Sequence, residues 1–235
     1  MLSYKSNSKT LSILKTLFDY SLHLIFPVNC PVCSKPAVII CDKPCLENLF
    51  NKNHVESKIL SEEKENIEFK VYFTEKYGGD IKNVIVRMKY DGCKTLCKLL
   101  GNGAAKVFTE KFERPDIDLL IPVPLHSDST RYFNQSFEIA KAMGNFWGIE
   151  VKEAAKWSSG VSHQVGKNAK EREKMPNDAF IIIKKYIPDL KNLNIALVDD
   201  VCTTGTTLKK LALAFKKQGV NVKCAYTICA VKNSV

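Results

Sequence analysis

Two adjacent carboxylates, Asp199 and Asp200, stand between an apolar run, Asn194–Val198, and a hydroxyl-dense loop, Thr203-Thr204-Gly205-Thr206-Thr207. Neighbouring carboxylates repel one another and cost stability unless water, cations or hydroxyl donors meet them. The apolar run has the pattern of a buried strand, so the pair is expected at its carboxyl end. The loop then opens an amphipathic helix, Thr206–Gln218. Backbone N–H groups and the positive end of that helix suit a dianionic phosphate, and Gly205 lets the chain turn tightly around it. A ligand offering a sugar diol to the carboxylates and a phosphate to the loop satisfies both halves. A plain strand-to-helix turn, with Thr206 or Thr207 as the cap, accounts for one threonine but not for the acidic pair.

A second anion-binding pattern lies upstream. Leu119–His126 (LLIPVPLH) reads as a strand ending in a loop stiffened by two prolines, followed by Arg131 and by Asn134 and Gln135 at a helix start. Arg131 is one of only four arginines, and its planar fork matches phosphate oxygens. His126 is a further charged donor or an ordinary loop histidine, and the amides of Asn134 and Gln135 can donate near the helix start. Nearer the N-terminus, Cys30, Cys33, Cys41 and Cys45 place four thiols within sixteen residues. That set suits tetrahedral zinc in a closed, structural site. Sites in which His23 or His54 replaces a thiol remain open. Cys93, Cys97 and Cys202 read as small packing residues.

The elements that must position these groups follow from periodicity. Strand patterns lie at Phe69–Phe73, Leu119–Val123, Phe180–Ile183, Asn194–Val198 and Val222–Ala230. Helical patterns lie at Asp80–Tyr90, Thr95–Lys111, Gln135–Trp147 and Thr206–Gln218. Such alternation predicts an α/β domain with a mainly parallel sheet, whose ligands sit beyond the carboxyl ends of the strands. Residues 67–235 are assigned to this domain. Residues 1–50 combine an amphipathic helix (Leu11–Pro27) with the cysteines, and the polar, charged stretch 51–66 reads as a linker or exposed helix. No apolar run is long enough for a membrane span and no leader-type cleavage site is evident, so the expected location is the cytoplasm. The net charge of +10 favours polyanionic partners, although lysine spread along the chain also serves solubility.

The stretch Leu197–Thr207 resembles the motif by which type I phosphoribosyltransferases bind 5-phosphoribosyl-1-pyrophosphate (PRPP). The order of Cys30–Cys45, Met88-Lys89-Tyr90, Pro122–His126, Arg131–Gln135 and Asp199–Gly205 is similar to that of the ComF family, which takes part in DNA uptake during natural transformation. The segment Gln164, Arg172, Asn177, Phe180 adds to that resemblance, which covers nearly all of the chain after about residue 20. It implies a type I phosphoribosyltransferase fold preceded by a small four-cysteine zinc module. Asp199 and Asp200 would contact the ribose hydroxyls, Thr203, Thr204, Gly205, Thr206 and Thr207 would hold the 5′-phosphate, and Arg131 and His126 the pyrophosphate, with magnesium bridging. Thr203 stands where 6-oxopurine salvage enzymes carry a carboxylate, which argues against such substrates. Tyr132 replaces the usual glycine beside Arg131, and the second cysteine pair has one extra residue between its members. The resemblance also implies single-stranded DNA and uptake-machinery proteins as partners. Lys82, Arg87, Lys89 and Lys94, with Tyr72, Tyr77 and Tyr90, are the candidate DNA surface. The alternative is a working phosphoribosyltransferase that releases pyrophosphate in favour of a nitrogen nucleophile, with Asp199, Asp200 and Arg131 as its principal groups.

Overall fold

The computed structural model describes residues 29–35, 37, 45, 48–50, 55–112, 116–126, 128–159 and 175–231. The expected helix at 11–27, Cys41, and the segment carrying Gln164 and Arg172 lie outside the described residues. The chain divides into two compact units, Met1–Glu47 and Asn48–Val235.

The larger unit is built on a six-stranded sheet. In chain order its strands are β1 (Glu56–Glu62), β2 (Ile67–Lys76), β3 (Leu119–Pro122), β4 (Glu150–Val151), β7 (Ile195–Cys202) and β8 (Val222–Ala230), arranged β1-β2-β8-β7-β3-β4. Every neighbouring pair is parallel except β1 with β2. β5 (Ala155–Trp157) and β6 (Phe180–Ile182) form a separate antiparallel pair. The helices are α1 (Gly79–Tyr90), α2 (Lys94–Phe112), α3 (Gln135–Trp147), the single turn α4 (Ile187–Leu190) and α5 (Thr206–Lys216). The architecture is therefore the expected α/β class with a mainly parallel sheet.

The apolar runs explain the sheet's order. Leu119, Leu120 and Ile121 of β3 and Ile195–Val198 of β7 are almost wholly buried, as strands covered on both faces must be. Phe215, Leu211 and Leu208 of α5 pack into the same core as Leu197 and Ala225. α2 and α3 approach closely because Gly101 has no side chain. A Cβ there would stand 2.7 Å from both Ala142 Cβ and Ile139 O.

Two expectations need correction. Residues 56–65 are not part of a linker or exposed helix: Glu56–Glu62 is the antiparallel edge strand β1, joined to β2 by a 3-10 turn at Glu63–Glu65. Only Leu60 of this strand is fully buried, so its apolar signal is weak, and its charges are those that edge strands carry against mispairing. The acidic pair does not follow β7 but lies inside it. β8 continues the ladder, pairing Asp199 with Thr227 and Cys202 with Ala230.

Candidate functional site

The acidic pair is held by a hydroxyl and a cation. Ser136 Oγ, in the first turn of α3, donates to Asp199 Oδ1 at 2.9 Å, and the backbone N–H of Asp200 donates to the same oxygen at 2.9 Å. Asp199 Oδ2 is left without a hydrogen-bond partner among the described residues. Asp200 is 5% exposed, and its Oδ2 lies 2.9 Å from Lys89 Nζ, delivered by α1. Burial, and then the neighbouring Asp200 charge, raise the Asp199 carboxyl to about 6, against the opposing Ser136 hydrogen bond and the Lys89 charge.

Beyond the pair, the threonine loop turns sharply into α5. Gly205 adopts φ +78, a left-handed conformation, and a Cβ there would stand 2.5 Å from Leu60 Cδ1. Lys58, also on β1, donates its Nζ to Thr203 O at 2.9 Å. The edge strand therefore braces this loop. Thr203, Gly205 and Thr207 line the cleft described below. Thr204 and Thr206, expected to contact phosphate, do not line it. Their hydroxyls lie 2.9 Å apart, and Thr206 N–H also donates to Thr204 Oγ1 at 3.4 Å. By bonding to each other, their hydroxyls shape the loop.

The proline-stiffened loop faces the threonine loop across the acidic floor. Trp157 of β5 fixes its start by donating Nε1 to Pro124 O at 2.8 Å, and the His126 ring packs 5.0 Å from that indole. His126 Nδ1 accepts from Asp128 N–H at 3.2 Å. Asn134 caps α3 by accepting from Phe137 N–H and donates its own amide to Val123 O. Arg131 lines the cleft, and among the described residues no carboxylate pairs with it. Its Nη1 donates to Gln135 Oε1 at 3.3 Å. Gln135 is 1% exposed with Nε2 unpartnered among the described residues, so it braces Arg131 and is not placed to meet a ligand.

Both loops and the pair open onto one cleft of about 930 Å³. Its floor is acidic, its sides carry Arg131, His126, Thr203 and Thr207, and Tyr77, Val86 and Tyr90 form an apolar wall. A carboxylate oxygen open between two donor loops can hold a vicinal diol, with an anion on each side.

The candidate DNA residues do not form a free basic surface. Arg87 Nε lies 3.1 Å from Asp91 Oδ2, and Lys94 Nζ lies 2.8 Å from Glu138 Oε1 and 5.1 Å from the Phe133 ring centre. Lys89 is drawn into the cleft, and Lys82 is exposed. Tyr72 is stacked on Tyr226, whereas Tyr90 is exposed. Charge density along a sequence does not reveal which carboxylates will neutralise it. Sequence reasoning also missed Ser136, Lys58 and Lys89 as partners of this site. Signals existed for two of them: Ser136 lies in the first turn of a helix that starts at the second anion loop, and Lys89 belongs to the Met88-Lys89-Tyr90 segment of the family resemblance.

In the smaller unit, Cys30, Cys33 and Cys45 bring their sulfur atoms within 4.8 Å of one another. Ser34 N–H donates to Cys30 O at 2.9 Å and Cys30 N–H to Lys35 O at 2.7 Å, with Ser34 at φ +61, so the Cys30–Cys33 segment is a tight turn. Thiolates around tetrahedral zinc, each about 2.3 Å from the metal, are separated by a comparable distance, and soft ligands favour that ion. The donor set therefore fits a metal. Cys41, the expected fourth ligand, lies outside the described residues. Elsewhere, burial pushes the Cys97 thiol up to about 12, with the Glu138 and Asp200 charges adding to it, as befits a packing residue. No helix among the described residues is long and apolar enough to cross a membrane.

No protein-family model matches the chain, and no curated protein matches it in sequence. Solved structures with partial likeness include a glutamine PRPP amidotransferase from B. subtilis complexed with ADP and GMP, at TM-score 0.37 and 14% identity over 56% of this chain. A second is described as the allosteric regulatory enzyme of purine biosynthesis, at TM-score 0.37 and 17% identity over 55% of this chain. The chain spans only 26% of the length of each. A purine phosphoribosyltransferase from Pyrococcus horikoshii has TM-score 0.35 and 19% identity over 59% of this chain and 84% of its own. At scores this low the likeness is partial, and the chemistry of the site stands on its own residues.

Proposed function

We propose that the cleft binds PRPP with a divalent cation, through a phosphoribosyltransferase-type site. The observation that carries this reading is the convergence of two anion-suited loops on one acidic floor, with Asp199 Oδ2 open between them. Asp199 accepts hydrogen bonds from the ribose hydroxyls. Thr203, Thr207 and the start of α5 hold the 5′-phosphate, with Gly205 giving the turn its shape. Arg131, braced by Gln135, and His126 hold the pyrophosphate. Magnesium, when bound with PRPP, neutralises pyrophosphate charge while keeping most of its waters. In the smaller unit, Cys30, Cys33 and Cys45, with Cys41, hold structural zinc.

Transfer of the phosphoribosyl group is the second reading, favoured by the room in the cleft. Pockets for small ligands run to about 1,000 Å³, and this cleft of about 930 Å³ lies at the upper end of that range, with Tyr77 and Tyr90 among its lining to meet a planar acceptor. The chain would contribute positioning and charge stabilisation of an oxocarbenium-like centre, without a covalent intermediate. The ComF-type role in DNA uptake and its protein partners rest on sequence resemblance, the DNA partner also on the net charge of +10, and the cytoplasmic location on the sequence's lack of a span-length apolar run or leader-type cleavage site; the ion pairs of Arg87, Lys89 and Lys94 do not strengthen the DNA reading.

Calorimetric titration with PRPP and magnesium tests the first reading. Saturable binding that disappears in Asp199→Asn supports it, and absence of binding to the wild type removes it. Incubation with PRPP, magnesium and a nucleobase panel tests the second. Release of pyrophosphate supports transfer, and silence across the panel leaves a binding module.

A further inference from the structure

Lys89 has no part in the ligand contacts above, yet among the described residues it is the cation paired with the acidic floor. Its Nζ lies 2.9 Å from Asp200 Oδ2, with side-chain exposures of 18% for Lys89 and 8% for Asp200. Its position is fixed by a rigid element. Met88, the preceding residue on α1, is wholly buried, and the helix closes at Asp91, whose N–H donates to Arg87 O at 2.9 Å. The helix therefore anchors the Lys89 backbone, while a four-carbon stem lets the ammonium move within the cleft it lines.

Two neighbouring carboxylates at the floor of a water-filled cleft form a trap for divalent cations, whose preferred ligands are hard oxygens. Lys89 counteracts that tendency. A charge within about 4–6 Å moves a proton equilibrium by about 1–3 units, which for a competing cation is about tenfold to thousandfold in affinity. The same ammonium is a natural phosphate ligand once a pyrophosphate group lies above it.

We propose that Lys89 is a built-in counter-ion. It occupies the cation position at Asp200 in the ligand-free protein and passes to the pyrophosphate when PRPP enters. A divalent cation then binds the acidic pair only together with its anionic ligand. The transfer of Lys89 to pyrophosphate rests on the PRPP reading; the exclusion of the free cation does not.

Mn2+ is the probe, with free Mn2+ followed by electron paramagnetic resonance during titration of the full chain. Asp200→Asn serves as the blank for Mn2+ held elsewhere. The wild type is expected to show no Asp200-dependent Mn2+ binding without PRPP, and to acquire it when PRPP is added. Lys89→Met and Lys89→Gln are expected to bind Mn2+ without PRPP at least about tenfold more tightly than the wild type, and Lys89→Arg to behave as the wild type does. Should Lys89→Met fail to fold by circular dichroism, Lys89→Gln keeps an amide donor toward Asp200 and carries the comparison. Asp200-dependent Mn2+ binding to the ligand-free wild type, as tight as in Lys89→Gln, overturns the proposal. So does a folded Lys89→Gln that gains no affinity. A gain in Lys89→Gln without any effect of PRPP on the wild type retains the exclusion; it overturns the transfer of Lys89 if calorimetry shows that PRPP binds, and the PRPP reading if calorimetry shows that it does not.

Discussion

Replacing Asp199 with Asn should stabilise the ligand-free protein at neutral pH while removing its ligand. The Asp199 carboxyl is raised from an ordinary 3.8 to about 6, first by burial and then by Asp200. An unfolded chain releases this proton near pH 4, whereas the folded chain keeps it to about pH 6. The contribution of this group to stability is therefore full below about pH 4 and is lost as the pH rises through about 6. A shift of about two units corresponds to about 3 kcal/mol before screening. Because Asp199 is only partly buried and Asn retains an oxygen for Ser136 and the Asp200 N–H, we expect Asp199→Asn to gain about 1–2 kcal/mol at pH 7.5, or about 3–6 °C. Near pH 4, where the wild-type carboxyl is itself protonated, the difference should vanish. Urea unfolding followed by tryptophan fluorescence reads this directly, since Trp147 and Trp157 are the chain's only tryptophans and both lie in the larger unit. A variant less stable than the wild type at pH 7.5, or a difference of the same size at pH 4.5 and 7.5, would show that ionising Asp199 carries no such cost.

Asp200→Asn should act in the opposite direction. It leaves the Lys89 ammonium without its partner, so the same urea titration should show a loss of about 2–4 kcal/mol. Gly205→Ala forces φ +78 on a side chain and drives its Cβ toward Leu60, so it should cost about 2 kcal/mol or more, with partial recovery when Leu60→Ala removes the clash. Arg131→Ala should weaken PRPP binding by about 1.5–3 kcal/mol, read by calorimetry, and weaken competition by inorganic pyrophosphate equally. Cys45→Ser should abolish zinc content measured by atomic emission while leaving the urea midpoint of the larger unit unchanged.

Comparison of particular elements shows where sequence reasoning reached and where it stopped. β8 and α3 were legible to the residue, because Val222–Ala230 is apolar apart from Lys223 and Thr227 and Gln135–Trp147 has a clear cap and helical period. β1 was not, because an edge strand needs only one buried side chain, here Leu60, and its charges imitate a linker. β4 and β5 are too short and too polar to stand out, whereas β6, no longer than β5, was legible because Phe180–Ile183 is wholly apolar.

The site divides in the same way. Sequence alone determined that Asp199 and Asp200 directly follow the apolar run Ile195–Val198 and precede a glycine-threonine turn, and that Arg131 follows a proline-stiffened loop. These are local patterns, fixed by neighbours a few residues away. Contacts formed on folding make Thr204 and Thr206 turn toward each other, bring Lys58 and Leu60 to brace the loop, and divide the acidic pair between Ser136 and Lys89. Lys89 is 111 residues from Asp200 in sequence, and a local reading gave it to a solvent-facing surface. Packing of α1 beside the floor of the cleft gave it to the carboxylate instead, because a buried charge requires a counter-charge wherever the fold can supply one.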